Sequence, residues 1–135
     1  MTAGYSTTPL AEKLGFKPGM RAFIADMPDG VRAEIALDSL GLELLAAPGA
    51  GIDAAHVFVT ERARLDCELT ALRQLIAPSG FVWVSWPKKA AKVATDVTED
   101  VIREVALPLG LVDVKVCAID EIWSGLKLMI RKELR

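Results

Sequence analysis

The sequence has few of the residues that most often build metal and nucleophilic sites. Its 135 residues include two cysteines and one histidine, His56. Cys67 and Cys117 lie far apart along the chain, so they form neither a disulfide framework nor a metal-binding pair. One histidine is too few for a histidine-rich zinc site, and it leaves His56 as the sole candidate for a serine–histidine triad. Unpaired thiols are typical of a reducing compartment, so we expect a cytoplasmic protein that binds no metal.

Excess charge and long apolar runs are also missing. The net charge is -2, so nothing indicates the broad basic surface of a nucleic-acid-binding protein. No apolar run approaches the ~20 residues that span a bilayer. The first ten residues, MTAGYSTTPL, lack the basic end and the apolar segment of a secretory signal. With 52% hydrophobic residues and no visible linker, the chain is predicted to form one domain over residues 1–135, away from membranes.

Strand and helix patterns alternate along the chain. Strands are predicted at 20–25, 42–46, 56–60, 81–86, 111–119 and 123–131, and helices begin near residues 9, 30, 61 and 96–98. Leucines at 65, 69 and 72 with Ile76 give the clearest amphipathic stripe, over 61–76. The strand over 81–86 is apolar on both faces except at Ser85, which favours a central position. The short turn at Asp120-Glu121 predicts an antiparallel hairpin.

This alternation predicts an α/β fold. Short strands separated by amphipathic helices form a parallel sheet with right-handed crossovers. We therefore expect a three-layer sandwich around a mostly parallel sheet of about six strands. The predicted strand order is 3-2-1-4-6-5, with the last strand antiparallel.

Two stretches resemble class I methyltransferases. KPGMRAFIADMPDG is similar to their first strand and turn, and LRQLIAPSGFVWVSWPKK is similar to a helix, a Pro-Gly turn and a later strand. The combination of TPLAEKLGFKPGM, WPKKA, VATDVTEDVIRE and GLVDVKVCAIDEIWSGLKLMIRK resembles a small bacterial family of unknown function. These resemblances imply a shortened methyltransferase-like, Rossmann-like fold, and they bring no established activity with them.

The chain departs from the methyltransferase pattern where a cofactor would bind. Such enzymes carry an acidic residue and several glycines after strand one (E/DxGxGxG), and the glycines let the backbone approach S-adenosylmethionine. Here the turn is Asp26-Met27-Pro28-Asp29-Gly30, with one glycine. The acidic residue that usually ends strand two is missing, since Ala46-Ala47-Pro48 stands there, and one βα unit is lost. The sequence therefore predicts no bound cofactor.

The lysines after strand four are candidate ligand-binding residues. In open α/β sheets, ligands bind at the carboxyl ends of the strands, where the order of connections reverses. The predicted order makes strands one and four neighbours, with a crevice between their ends. The walls of that crevice would be Asp26, Pro28 and Gly30 on one side and Ser85, Trp86, Lys88 and Lys89 on the other. It would take a small anion; the alternative is a solvated turn that binds nothing.

Other polar residues have simpler interpretations. Gly49 and Gly51 lie in a loop without the Gly-Lys-Ser/Thr of a P-loop, which favours a connector. A lone histidine such as His56 is more often packed or exposed than catalytic. Asp26 and Asp29 are typical turn residues, and a paired-carboxylate site there has no further support.

Three functions remain open from the sequence. The leading hypothesis is a non-catalytic methyltransferase-like domain that binds a protein partner or a small anionic ligand, with no catalytic residue assigned. The first alternative is a divergent S-adenosylmethionine-dependent methyltransferase. The second is a homodimeric assembly module that pairs through its hairpin edge. The sequence does not distinguish a monomer from a homodimer.

Overall fold

A computed structural model describes residues 8–135, so most of the segment used for the signal-peptide argument lies outside the described residues. Over the described residues, six strands form one sheet. They are β1 (Arg21–Ala25), β2 (Glu43–Leu45), β3 (Ile52–Phe58), β4 (Ile76–Pro87), β5 (Leu111–Ala118) and β6 (Trp123–Ile130). The α-helices in this part of the chain are α1 (Leu10–Leu14), α2 (Asp29–Glu34), α3 (Arg62–Leu75) and α4 (Glu99–Ala106).

The sheet confirms the predicted fold class. Strands β1 to β4 are mutually parallel, and β6 is antiparallel to both of its neighbours, β4 and β5. One apolar core packs between the sheet and helices α3 and α4, with Leu65, Leu69 and Ile102 fully buried. A second core packs on the other face, where Leu14 and Val31 cover the sheet. The protein is therefore a three-layer α/β sandwich with a mixed sheet.

The strand order differs from the predicted one in its first half. The observed order is β2-β1-β3-β4-β6-β5, so β3 lies between β1 and β4. β3 begins at Ile52 rather than His56, and it is buried throughout 54–58. β2 has three residues and remains largely exposed. A strand that is apolar on both faces is stable in the centre of a sheet, so β3 takes that position and β2 takes the edge.

Local signals place most of the helix ends where the sequence predicts them. Gly15 ends α1 with φ +81°, a left-handed conformation that glycine adopts without strain. The Thr98 hydroxyl caps α4 by accepting a hydrogen bond from the Val101 N–H at 3.2 Å. On the face of the sheet that carries the second core, the Trp83 indole N–H donates to the Leu14 carbonyl at 2.7 Å. This hydrogen bond links β4 to α1. Within the described residues, none of the helices has the length and apolarity to cross a membrane.

Candidate functional site

A cleft lies at the carboxyl ends of β1 and β3, where the order of strand connections reverses. β1 is followed by β2 on one side of it, whereas β3 is followed by β4 on the other side. In open α/β sheets, ligands bind at this reversal. We call the cleft the switch-point cleft; its volume is about 250 Å³. It is lined by Asp26, Phe58, Val59, Thr60, Glu61, Arg64 and Trp123.

Charges of both signs line the switch-point cleft. Asp26 directly follows β1 and has φ +59°, a conformation that aspartate tolerates better than most residues. Its carboxylate lies 2.9 Å from the Arg64 guanidinium, which also lies 2.9 Å from the Glu68 carboxylate. The hydrogen bond that Arg64 donates to the Glu68 carboxylate, followed by the negative charge of Asp26, raises the pKa of Arg64. The Asp26–Arg64 pair is about half exposed, so it contributes little stability and can open for a ligand.

Two aromatic rings form the apolar wall of this cleft. Phe58 and Trp123 meet edge to face, with ring centroids 5.2 Å apart and planes at 79°. Phe58 is buried at the end of β3, and Trp123 is half-buried at the start of β6. Such a wall offers a contact surface to a flat apolar group.

His56 lies beneath this wall and is fully buried. Its ring stacks on Phe58 at 4.4 Å, and its Nε2 atom lies 2.7 Å from the Ser85 hydroxyl oxygen. Burial lowers the pKa of His56 to about 3, so the ring is neutral near neutral pH. Its Nδ1 atom has no hydrogen-bond partner among the described residues. His56 is therefore a packed core residue and is not accessible as a base.

The predicted crevice between strands one and four does not form, because β3 separates them. Asp26 lines the switch-point cleft, as a residue at the end of β1 should. Pro28 precedes α2 and Gly30 lies within it, and neither lines this cleft. A Cβ atom at Gly30 would meet nothing within 4 Å, so no close approach requires glycine there. Ser85 is fully buried against His56 and is not a wall residue.

Trp86, Lys88 and Lys89 line a second cleft on the side of α4, which we call the lysine cleft. Its volume is about 610 Å³. Its other lining residues are Pro87, Val93, Thr95, Val97, Thr98, Glu99 and Ser124. Trp86 is only 8% exposed and belongs mainly to the core, so it offers a ligand only a small part of its surface. The seven candidate residues therefore fall into separate places in the fold.

Sequence reasoning assigned a site role to one of the seven residues that line the switch-point cleft, Asp26. Glu61, Arg64 and Trp123 supply charged or aromatic side chains to the cleft, and none of them was singled out from the sequence. The signal that could have found them is the run from residue 52 to 59, which is apolar apart from Asp53 and His56 and is long enough for a central strand. Placing that strand beside strand one would have brought its carboxyl end, and hence Glu61 and Arg64, to Asp26.

Metal ligands do not cluster in the part of the chain that the structure describes, where no group of three or more His, Cys, Asp or Glu side chains could hold an ion. Cys67 is exposed and Cys117 is buried, and both are free thiols.

Comparison with known proteins identifies the fold. No family model and no curated protein matches the sequence. Among solved structures, a SAM-dependent methyltransferase from Aquifex aeolicus matches with a TM-score of 0.60 and 16% identity, covering 89% of this chain and 87% of that one. A putative sarcosine dimethylglycine methyltransferase from Galdieria sulphuraria matches with a TM-score of 0.63 and 9% identity, covering 90% and 81%.

A third match is magnesium protoporphyrin IX methyltransferase from Synechocystis PCC 6803 with bound SAH, with a TM-score of 0.58 and 11% identity over 84% and 74% of the two chains. At these identities the matches show the fold alone. The chain has a shortened methyltransferase-like, Rossmann-like fold.

Proposed function

We propose that this protein is a divergent S-adenosylmethionine-dependent methyltransferase whose cofactor site is the switch-point cleft. The observation that carries the proposal is this cleft, which combines both charge signs with an aromatic wall at the point of reversal in a methyltransferase fold. Two of the matched structures support it, since one is described as SAM-dependent and another contains SAH. These comparisons favour methyl transfer over the non-catalytic role that the sequence suggested.

The chemistry of the cleft fits the polar groups of the cofactor. The Asp26 and Glu61 carboxylates can accept hydrogen bonds from an ammonium group or from ribose hydroxyls. The Arg64 guanidinium can pair with a carboxylate in two-pronged geometry. The indole of Trp123 offers a face for a purine. When bound, the cofactor would supply an activated methyl group; this chain's residues would bind and orient it.

The turn after β1 limits the strength of binding. Pro28 has no N–H to donate, and Met27 is partly buried against the second core, so neither gives the backbone approach that glycines provide. The cleft volume of about 250 Å³ is below the ~300–1,000 Å³ of typical small-molecule sites. We therefore expect binding weaker than the low micromolar range, with some movement of the 26–30 turn.

Calorimetry with S-adenosylmethionine and S-adenosylhomocysteine tests the proposal. We expect saturable binding to the wild type and weaker binding to Asp26→Asn, because asparagine keeps the left-handed backbone conformation and removes the charge. Asp38→Asn is the matched control, since Asp38 pairs with Arg32 on an exposed surface that does not line the cleft. Absence of saturable heat with both compounds would reject the proposal and return the non-catalytic hypothesis to first place.

A monomer is the oligomeric state that we propose with this function. β5 is an edge strand, and Val114 and Val116 on it are exposed, which is the surface that a hairpin-edge dimer would use. The register of β5 shifts between Asp113 and Lys115, and bulges with edge lysines are typical of strands that avoid pairing. Light scattering tests this: a dimer mass would favour the assembly module.

A cytoplasmic location is part of the same proposal and rests on the two free thiols.

A further inference from the structure

We propose that the lysine cleft is a separate binding site for a small organic anion, that is, a carboxylate or phosphate group attached to an apolar body. The cleft shares no lining residue with the switch-point cleft. Its volume of about 610 Å³ is within the ~300–1,000 Å³ of small-molecule sites. This inference does not depend on cofactor binding.

The floor of the lysine cleft is apolar. Trp86 lines the cleft and is 8% exposed, whereas Val97, also on the lining, is 1% exposed and adds almost no accessible surface. Val93 is 42% exposed and lies on the lining of the cleft. An apolar body would bury these surfaces on binding, and their removal from water would stabilise the complex.

Two unpaired cations border this floor. Every ion pair between described residues is made by an arginine, so Lys88 and Lys89 have no acidic partner there. Glu99 also lines the cleft, but its carboxylate is paired with Arg103, which reduces its repulsion of an anion. Lys88 and Lys89 therefore supply the charge that would attract an anionic group.

Hydrogen bonds hold the segments around the cleft in place. The Lys88 N–H donates to the Ile122 carbonyl at 2.7 Å, which fixes the chain just after β4 against the turn between β5 and β6. The Thr95 hydroxyl donates to the Thr60 carbonyl at 2.7 Å and accepts from the Val97 N–H at 3.0 Å. A cleft held in this way loses little conformational entropy when a ligand binds, and this raises affinity.

An amide chemical-shift titration tests the proposal, with phenyl phosphate as the probe. Inorganic phosphate supplies the anionic group alone, and phenol supplies the apolar body alone. We expect saturable shifts within 86–99 and at Ser124 with phenyl phosphate, and weaker binding of both fragments. Binding should weaken between about 20 mM and about 300 mM salt, because exposed lysines are screened.

The variant Lys88→Ala/Lys89→Ala should weaken phenyl phosphate binding about fivefold to tenfold. Lys17→Ala/Lys132→Ala is the matched control, since it removes the same charge from two exposed lysines outside the cleft. The proposal is wrong if no amide of the cleft shifts, if phosphate binds as well as phenyl phosphate, or if both double variants lose affinity equally. Titration with S-adenosylmethionine distinguishes this site from the proposed cofactor site. The shifts that the cofactor causes at the switch-point cleft should be the same in Lys88→Ala/Lys89→Ala as in the wild type.

Discussion

Mild acid should destabilise the protein through His56. The ring is fully buried, and burial lowers its pKa in the folded protein to about 3, from an ordinary value of 6.5. Between these two values the unfolded chain binds a proton at His56 and the folded chain does not. The free energy of unfolding therefore rises with pH across this window and falls as the pH drops below 6.5.

The size of this effect follows from the pKa difference. Each pH unit within the window changes the free energy of unfolding by about 1.4 kcal/mol, so lowering the pH from about 7 to about 5 should cost about 2 kcal/mol. With a urea dependence of about 2 kcal/mol per molar, the unfolding midpoint should fall by about 1 M. Most carboxylates titrate below this range, so His56 should dominate the change.

Urea unfolding of the wild type and of His56→Phe/Ser85→Ala measures this effect. The double variant replaces the His56–Ser85 hydrogen-bonded pair with apolar side chains, so no buried partner is left unsatisfied. Its stability should be nearly independent of pH between about 5 and 7, whatever its absolute stability. Equal pH slopes for the two proteins would show that His56 is hydrated or charged in the folded state, and the reasoning would fail.

Two further predictions concern β4, and each has a control variant elsewhere in the chain. Val84 is fully buried in β4 between Val57 and Leu126, so Val84→Asp should unfold the domain, because an unpaired buried charge costs several kcal/mol. The control is Val114→Asp on the exposed edge strand, which should lower the free energy of unfolding by less than about 1 kcal/mol. Circular dichroism compares the folding of the two variants. A folded Val84→Asp protein would refute the central position of β4. A Cβ atom at Gly80 would lie 2.9 Å from the Ile52 carbonyl oxygen, so Gly80→Ala should destabilise by about 1–3 kcal/mol. Gly30→Ala, with open space around it, should be neutral or stabilising by up to about 1 kcal/mol, and equal thermal shifts for the two glycine variants would contradict this account.

Local features of the fold were predictable because they depend on neighbouring residues. The start of α4 after residue 98 and the β5–β6 hairpin follow from short patterns, and the structure has them where the sequence indicates. The start of β3 was not predictable in this way. Asp53 in the run APGAGIDAA suggests a loop, yet its carboxylate accepts the Arg21 N–H at 2.9 Å and so belongs to the β1–β3 contact.

The error in the candidate site follows from the error in strand order. A site at the edge of a sheet is defined by which strands are neighbours, and that depends on contacts between distant residues. Asp26 still lies at the carboxyl edge of the sheet, because it directly follows β1. Ser85 was misplaced because its partner, His56, lies on the strand that the prediction put at the edge of the sheet.

The most direct test of the proposed function is an amide chemical-shift titration of the wild type with S-adenosylmethionine. We predict saturable shifts confined to residues 26–30, 58–64 and 123, and weaker binding to Asp26→Asn than to Asp38→Asn. Shifts that are absent from these residues at millimolar cofactor, or that occur only around the lysine cleft, would contradict the assignment of the switch-point cleft as a cofactor site.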